Sequence, residues 1–195
     1  MALALPTSPA PSKVTPRLIN SRSSLSSAFG AGDQRFARMG ARWALDVTMP
    51  PMRYADAMAF ADLASETDTC ILPIPQPGIE IGTPGVGLVD GAGQTGSTLS
   101  LKGLSANYAF TKWQWITVVT SGVRYCYRVA SVCVVAADGT IDLPLSTMIR
   151  VPHGDEDVVK IADPEIEGFV TLPDDAWAYD ASRLVYLSFT IQERV

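Results

Sequence analysis

The chain has 195 residues, 47% of them hydrophobic, with 15 Gly, 14 Pro and a formal net charge of −5. That length is enough for one well-buried domain with extensions, and the composition excludes a disordered chain and favours a β-rich one. The longest apolar run, Val129 to Ala137, is about half of the roughly 18 residues that a spanning helix needs, so a soluble protein without membrane insertion is expected.

The charge is unevenly placed. Residues 1–60 carry seven Lys or Arg against three Asp, a balance of +4, and the other 135 residues carry eight basic and seventeen acidic groups, a balance of −9. A basic N-terminal segment either docks on the acidic body of a neighbouring copy or folds over its own. The opening MALALPTSPAPSK has no basic residue ahead of its short apolar stretch and makes a poor secretory signal. Cys126 and Cys133 are seven apart on one expected strand, so they face opposite ways. All three cysteines are expected to be reduced, as in cytoplasmic assembly.

In chain order, residues 1–40 are rich in Ser, Pro, Ala and Gly and read as an extended arm with one short strand near Val14 to Asn20. The remainder, 41–195, reads as one β-sandwich domain. Arg42 to Thr48 alternates as a strand, with Trp43, Leu45 and Val47 on one face. Pro50-Pro51 ends it and opens an expected helix, whose stripe is Met52, Ala55, Ala59, Phe60 and Leu63. Cys70 to Ile74 is a short strand that Pro73, Pro75 and Pro77 should confine to a sheet edge. Residues 76–96 hold seven Gly and are mostly loop, with a strand near Val86 to Val89; Ser97 to Lys102 alternates again.

The stretch from Trp113 to Arg150 organises the rest. Trp113, Trp115, Thr117 and Val119 alternate with Gln114, Ile116 and Val118; Ser121-Gly122 turns the chain. The next run, Val123 to Ala136, puts Val123, Tyr125, Tyr127 and Val129 on one face and Arg124, Cys126 and Arg128 on the other. Asp138-Gly139 is a hairpin signal, giving a β-meander. Short strands at Val158 to Ala162 and Glu167 to Leu172 follow, then the loop PDDAWAYDAS. The last strand points Val185, Leu187, Phe189 and Ile191 inward. The expected fold is mainly β: an antiparallel β-sandwich or partly closed barrel with one α-helix and an extended N-terminal arm.

Catalytic chemistry is sparse. The single histidine, His153, sits in a Pro-His-Gly turn, which rules out histidine-based metal clusters. Gly85-Val86-Gly87 and Gly91-Ala92-Gly93 lack the spacing of a nucleotide loop and read as turns. Asp155-Glu156-Asp157 with Asp163, Glu165 and Glu167 is the one cluster of hard oxygen donors, but it matches no EF-hand and reads first as a solvated loop. Trp43, Trp113 and Trp115 lie in strand patterns and read as core or interface. Trp177, beside Tyr179 in an acidic loop, is the tryptophan expected at the surface, as an anchor for a protein partner or a sugar platform. No catalytic residue, metal or cofactor is assigned, and no enzyme is expected. The alternatives weighed against a structural role are a carbohydrate-binding β-module and a glycan hydrolase resting on the acidic cluster.

The order of several motifs resembles the distal tail, or tail-tip, proteins of long-tailed bacteriophages. It runs from Arg35 or Arg38 through Gly40, Arg42-Trp43, Leu45, Val47-Thr48 and Pro50-Pro51, then Gly93 to Leu99 and Leu101-Lys102-Gly103. It continues with Gly122 to Val129, Asp138-Gly139-Thr140, Leu143-Pro144-Leu145 and Ile149-Arg150, so that it spans roughly residues 35–191. Many such proteins have Gly-Asp where this chain has Thr111-Lys112. The resemblance implies a structural virion protein: a ring, hexameric or threefold-related, joining the tail tube to the hub, with the tape measure and then DNA passing through its lumen. A different tail ring, such as a tube or terminator-like component, is the neighbouring possibility. The implied partners are further copies of the chain, the tail tube protein and the hub and tape measure proteins, with no specific nucleic-acid binding. Candidate interface residues are Arg35, Arg38, Arg42, Trp177 and Tyr179, and Asp155, Glu156 and Asp157 are candidates for an acidic lumen.

Overall fold

The computed structural model describes residues 2–20, 23–25, 34–36, 40–64, 69–179 and 183–194, the two short pieces at 23–25 and 34–36 as backbone. In chain order the elements are β1 (Leu3–Ala4), β2 (Lys13–Ile19), β3 (Ser23–Leu25), β4 (Gln34–Phe36), β5 (Arg42–Thr48), β6 (Met52–Arg53), α1 (Tyr54–Ala57) and a 3-10 helix (Met58–Ala64). Then come β7 (Cys70–Pro73), β8 (Gly85–Val89), β9 (Thr98–Leu104), β10 (Ala109–Phe110), β11 (Trp115–Thr120), β12 (Val123–Arg128) and β13 (Cys133–Val134). The last are β14 (Ile141–Pro144), β15 (Val158–Lys160), β16 (Glu165–Thr171), β17 (Trp177–Tyr179) and β18 (Leu184–Glu193).

Two sheets carry the fold. One has eight strands, with the path β1-β7-β16-β18-β5-β2 and with β6 and β17 also paired to β18. The other has six, in the order β12-β11-β15-β8-β9-β14, and curls into a half-barrel. The chain is mainly β with antiparallel sheets, in keeping with a sandwich joined to a partial barrel. The one parallel pairing in the eight-stranded sheet is β1 on β7.

The hairpin β11–β12 is the wall between two hydrophobic cores. Its register pairs Trp115 with Arg128, Thr117 with Cys126 and Thr120 with Val123. Pleating sends alternate residues to opposite sides, so Trp115 and Cys126 join the core under the eight-stranded sheet while Ile116, Val118, Tyr127 and Val129 join the half-barrel core. This is the division of faces expected from the sequence. The two-residue turn Ser121-Gly122 has φ of +51° and +80°. Positive φ at both positions is the mirror-image turn whose twist matches a hairpin.

Of the two courses open to the N-terminal segment, residues 2–20 fold over their own body: β2, close to the strand expected near Val14 to Asn20, pairs along its whole length with β5, and β1 pairs with β7. Several other expectations are corrected. The helix is shorter and tighter than expected. Ala57, Phe60 and Leu63 are buried while Ala55 and Ala59 are exposed, a spacing of three that suits a 3-10 helix and not the 3.6-residue repeat. Burying Phe60 alone contributes about 2 to 3 kcal/mol. β7 is not an edge: it lies between β1 and β16, with Pro73 at its end opposite Glu165. The long run Val123 to Ala136 breaks after Arg128, and Val132 is exposed there. β13 leaves to pair with β10, and β14 pairs with β9, so Asp138-Gly139 turns the chain between strands that do not pair with each other.

Candidate functional site: an aromatic and cationic groove between the sheets

Where β2 meets the segment before β11, the two sheets leave a groove of about 550 Å³. Its floor is a stack of rings and one guanidinium. Arg128 is the cross-strand neighbour of Trp115, and its Cζ lies 4.4 Å from the centroid of Trp115, 4.4 Å from that of Trp113 and 5.4 Å from that of Trp43. Trp43 meets Trp115 edge to face at 4.8 Å. Burial lowers the Arg128 pKa from its ordinary value, yet a guanidinium keeps its charge at any physiological pH. Each ring contact contributes about 0.5 to 2 kcal/mol. Gln76 braces the groove: its Oε1 accepts from the Trp115 amide at 2.8 Å and its Nε2 donates to the Ile161 carbonyl at 3.4 Å.

Trp113 is the exposed tryptophan of this stack, 55% accessible, where Trp177 was the tryptophan expected to be exposed. Its φ of +74° places it in a turn ahead of β11, so the strand alternation that buries Trp115 does not reach it. The Arg128 Nε donates to the Trp113 carbonyl at 3.3 Å, which ties the turn to β12. A smaller hollow of about 230 Å³ lies beside it, lined by Leu18, Trp43, Lys112 and Trp113 among others, so that Trp113 borders both. Among the described residues the larger groove is lined by the cations Lys13, Lys112 and Arg128 and by no carboxylate.

The other polar clusters are turned inward. Glu193, 1% accessible, closes a tie between the sheets. Its carboxylate is held by Arg150 Nη1 and Nη2 at 2.5 and 2.6 Å, and accepts from the amides of Trp43 and Cys126 at 2.6 and 2.7 Å. Burial opposes the charge on Arg150, but its hydrogen bonds to Glu193 outweigh that and raise its pKa. Next to it, His153 is 1% accessible. The Asp157 carboxylate only accepts, so the Thr120 hydroxyl gives it its proton at 2.5 Å. Thr120 Oγ1 then accepts from His153 Nδ1 at 2.7 Å, and His153 Nε2 accepts from the Tyr127 hydroxyl at 3.0 Å. Burial pushes His153 down to about 4 and Tyr127 up to about 12. Both are neutral at pH 7. Burial also pushes the Cys126 thiol well up. A third tie joins Arg124 to Glu165 and Glu167, with Lys160 and Arg194 completing it.

The residues singled out in the sequence do not form one site. The Arg35 side chain and Arg38 lie outside the described residues. Arg42 begins β5 beside the C-terminal end of β18, whereas Trp177 and Tyr179 pair with Leu187 and Val185 near its N-terminal end. Where a loop was expected at 173–182, Trp177–Tyr179 form β17 because they pair with β18; Trp177 is half-buried and packs on the first core, so the surface aromatic there is Tyr179, 67% accessible. Asp155 accepts from Gly91 N and pairs with Lys102 at 2.9 Å; Glu156 is exposed; Asp157 faces Thr120. The three acids therefore do not line one wall. Among the described residues no group of three or more His, Cys, Asp or Glu is arranged to hold a metal ion. All three cysteines are unbridged.

No protein-family description and no curated protein matches this chain. The site therefore has to be read from its own chemistry.

The groove was missed because Trp113 and Trp115 read as one strand face. The available signal was Arg128 opposite two tryptophans, a cation where a buried strand face would be apolar. Glu193 also had a signal, since the inward parity of Val185, Leu187, Phe189 and Ile191 continues two residues on to it.

Proposed function

We infer that the chain is a structural, ring-forming protein of a bacteriophage tail, placed between the tail tube and the tip. The observation that carries this reading is where the ionisable groups go: Arg150 with Glu193, His153 with Asp157 through Thr120, and Arg124 with Glu165 and Glu167. The pairs Arg150–Glu193 and Arg124 with Glu165 and Glu167 tie the half-barrel side to β18 and β16 of the eight-stranded sheet, the His153–Thr120–Asp157 chain stays on the half-barrel side between β11 and the turn before β15, and His153, the one imidazole base in the sequence, is sealed from solvent. Such ties fix the relative position of the sheets, which a tiling subunit needs, and they leave the open groove as a surface for another protein. The motif order that resembles tail-tip proteins supplies the assembly; the interior it implies would pass DNA without gripping phosphate. Of the described surface, Asp90, Asp155 and Glu156 around the single Lys102 suit that lining best.

The test is localisation in particles. Purified tails carrying an epitope on this chain are expected to show label at one end of the tail, in a fixed copy number per particle by quantitative mass spectrometry. Particles that assemble fully and contain none of the chain overturn the reading.

A further inference from the structure

The groove and the β16–β17 loop of the same molecule have opposite chemistry. The groove presents Lys13, Lys112 and Arg128 around an exposed Trp113. Neither Lys13 nor Lys112 has an ion pair among the described residues. The loop presents exposed Pro173, Asp174 and Asp175, with Tyr179 beyond them. Neither aspartate has an ion pair among the described residues. The two surfaces lie on opposite faces of one sheet. Leu45 of β5 lines the groove, while its neighbour Asp46 lines a hollow on the far face together with Pro173. One molecule therefore cannot bring its own loop into its own groove. A second copy can.

We propose that the groove at Trp113 receives the β16–β17 loop of a neighbouring copy, with the exposed Tyr179 of β17 beside it, in a head-to-tail contact. The two aspartates face Lys13 and Lys112, and Pro173 or Tyr179 packs on the Trp113 ring, whose other contact is the Arg128 guanidinium. A contact between two different patches repeats from copy to copy and closes into a ring when the rotation allows it, unlike a self-complementary patch, which stops at a dimer. The inference rests on the ring reading above and names the surfaces that would make it.

The experiment is a charge swap in the full-length chain, followed by sedimentation velocity across a concentration series. Reversing the groove (Lys13→Glu with Lys112→Glu) or the loop (Asp174→Lys with Asp175→Lys) is expected to weaken self-association by roughly tenfold or more, because like charges then face each other. Combining the two reversals in one chain is expected to recover most of the loss. Trp113→Ala is expected to weaken association by roughly tenfold while lowering the thermal midpoint by only a few degrees, the share of its contact with Arg128, since its ring is more than half exposed. Association that survives either reversal, or that the combined chain fails to recover, overturns the contact. A wild-type chain that stays monomeric overturns it too, and recovery of that chain from purified tails then separates this failure from failure of the ring reading.

Discussion

Glu193 shows what a single side chain does here. It is buried at the end of β18 and neutralises Arg150 between two sheets. Removing one partner of such a pair strands the other charge in the core, so Glu193→Gln is expected to cost about 3 to 5 kcal/mol in chemical denaturation. His153 gives a prediction with a sign. Its pKa is near 4 when folded and about 6.5 when unfolded, so the unfolded chain binds the extra proton first. Its contribution is fully present above about pH 6.5 and is lost as pH falls toward 4, on the order of 3 kcal/mol. The difference between the stability curves of the wild type and His153→Gln, measured from pH 7.5 to 4, should shrink over that window. A constant difference would mean that the imidazole does not titrate with unfolding. At this scale sequence reading was uneven. The parity of β18 was legible to Ile191, but a carboxylate at the next inward position is read as the strand's end unless its partner, forty-three residues away in sequence at Arg150, is known.

Strands were the more legible unit. Arg42–Thr48 has the bounds expected from its alternation, and the β11–β12 hairpin has the expected turn and faces. The misses share a cause: propensity and periodicity are local, and tertiary pairing overrode them. The run after Arg128 is apolar on both faces and reads as continuous strand, yet Cys133–Val134 finds its partner in Ala109–Phe110. The 3-10 helix likewise follows the spacing of the residues it buries. One close approach sets a further test. Gly168 in β16 lies so near β18 that an added Cβ would sit 2.0 Å from the Gln192 carbonyl oxygen. Gly168→Ala must push the two strands apart and is expected to lower stability by about 3 kcal/mol or more, read from the denaturation midpoint. By contrast Gly122, with φ of +80° and open space around it, should lose only about 1 kcal/mol on change to Ala, from backbone strain alone.

For the whole molecule, no single cut in the chain separates the two sheets. The eight-stranded sheet takes its strands from both ends of the sequence and the half-barrel takes its strands from the middle. Of residues 2–20 only the strand near Val14 to Asn20 was legible, as β2; the pairing of β1 with β7 was not, because a Ser- and Pro-rich segment carries little pattern of its own. Deleting residues 1–20 is accordingly expected to remove an edge of the sheet and lower the unfolding temperature by several degrees, where loss of a free arm would leave it unchanged.

The hairpin at 115–128 is lined on one side by the core beneath the long sheet and on the other by the half-barrel interior. Opening either interior exposes the same backbone, so neither half has a way to come apart while the other stays shut. In deuterium labelling, the amides of the fully buried Ile116, Thr117, Val118, Cys126 and Tyr127 should be the last to exchange, and they should do so at the rate of global unfolding.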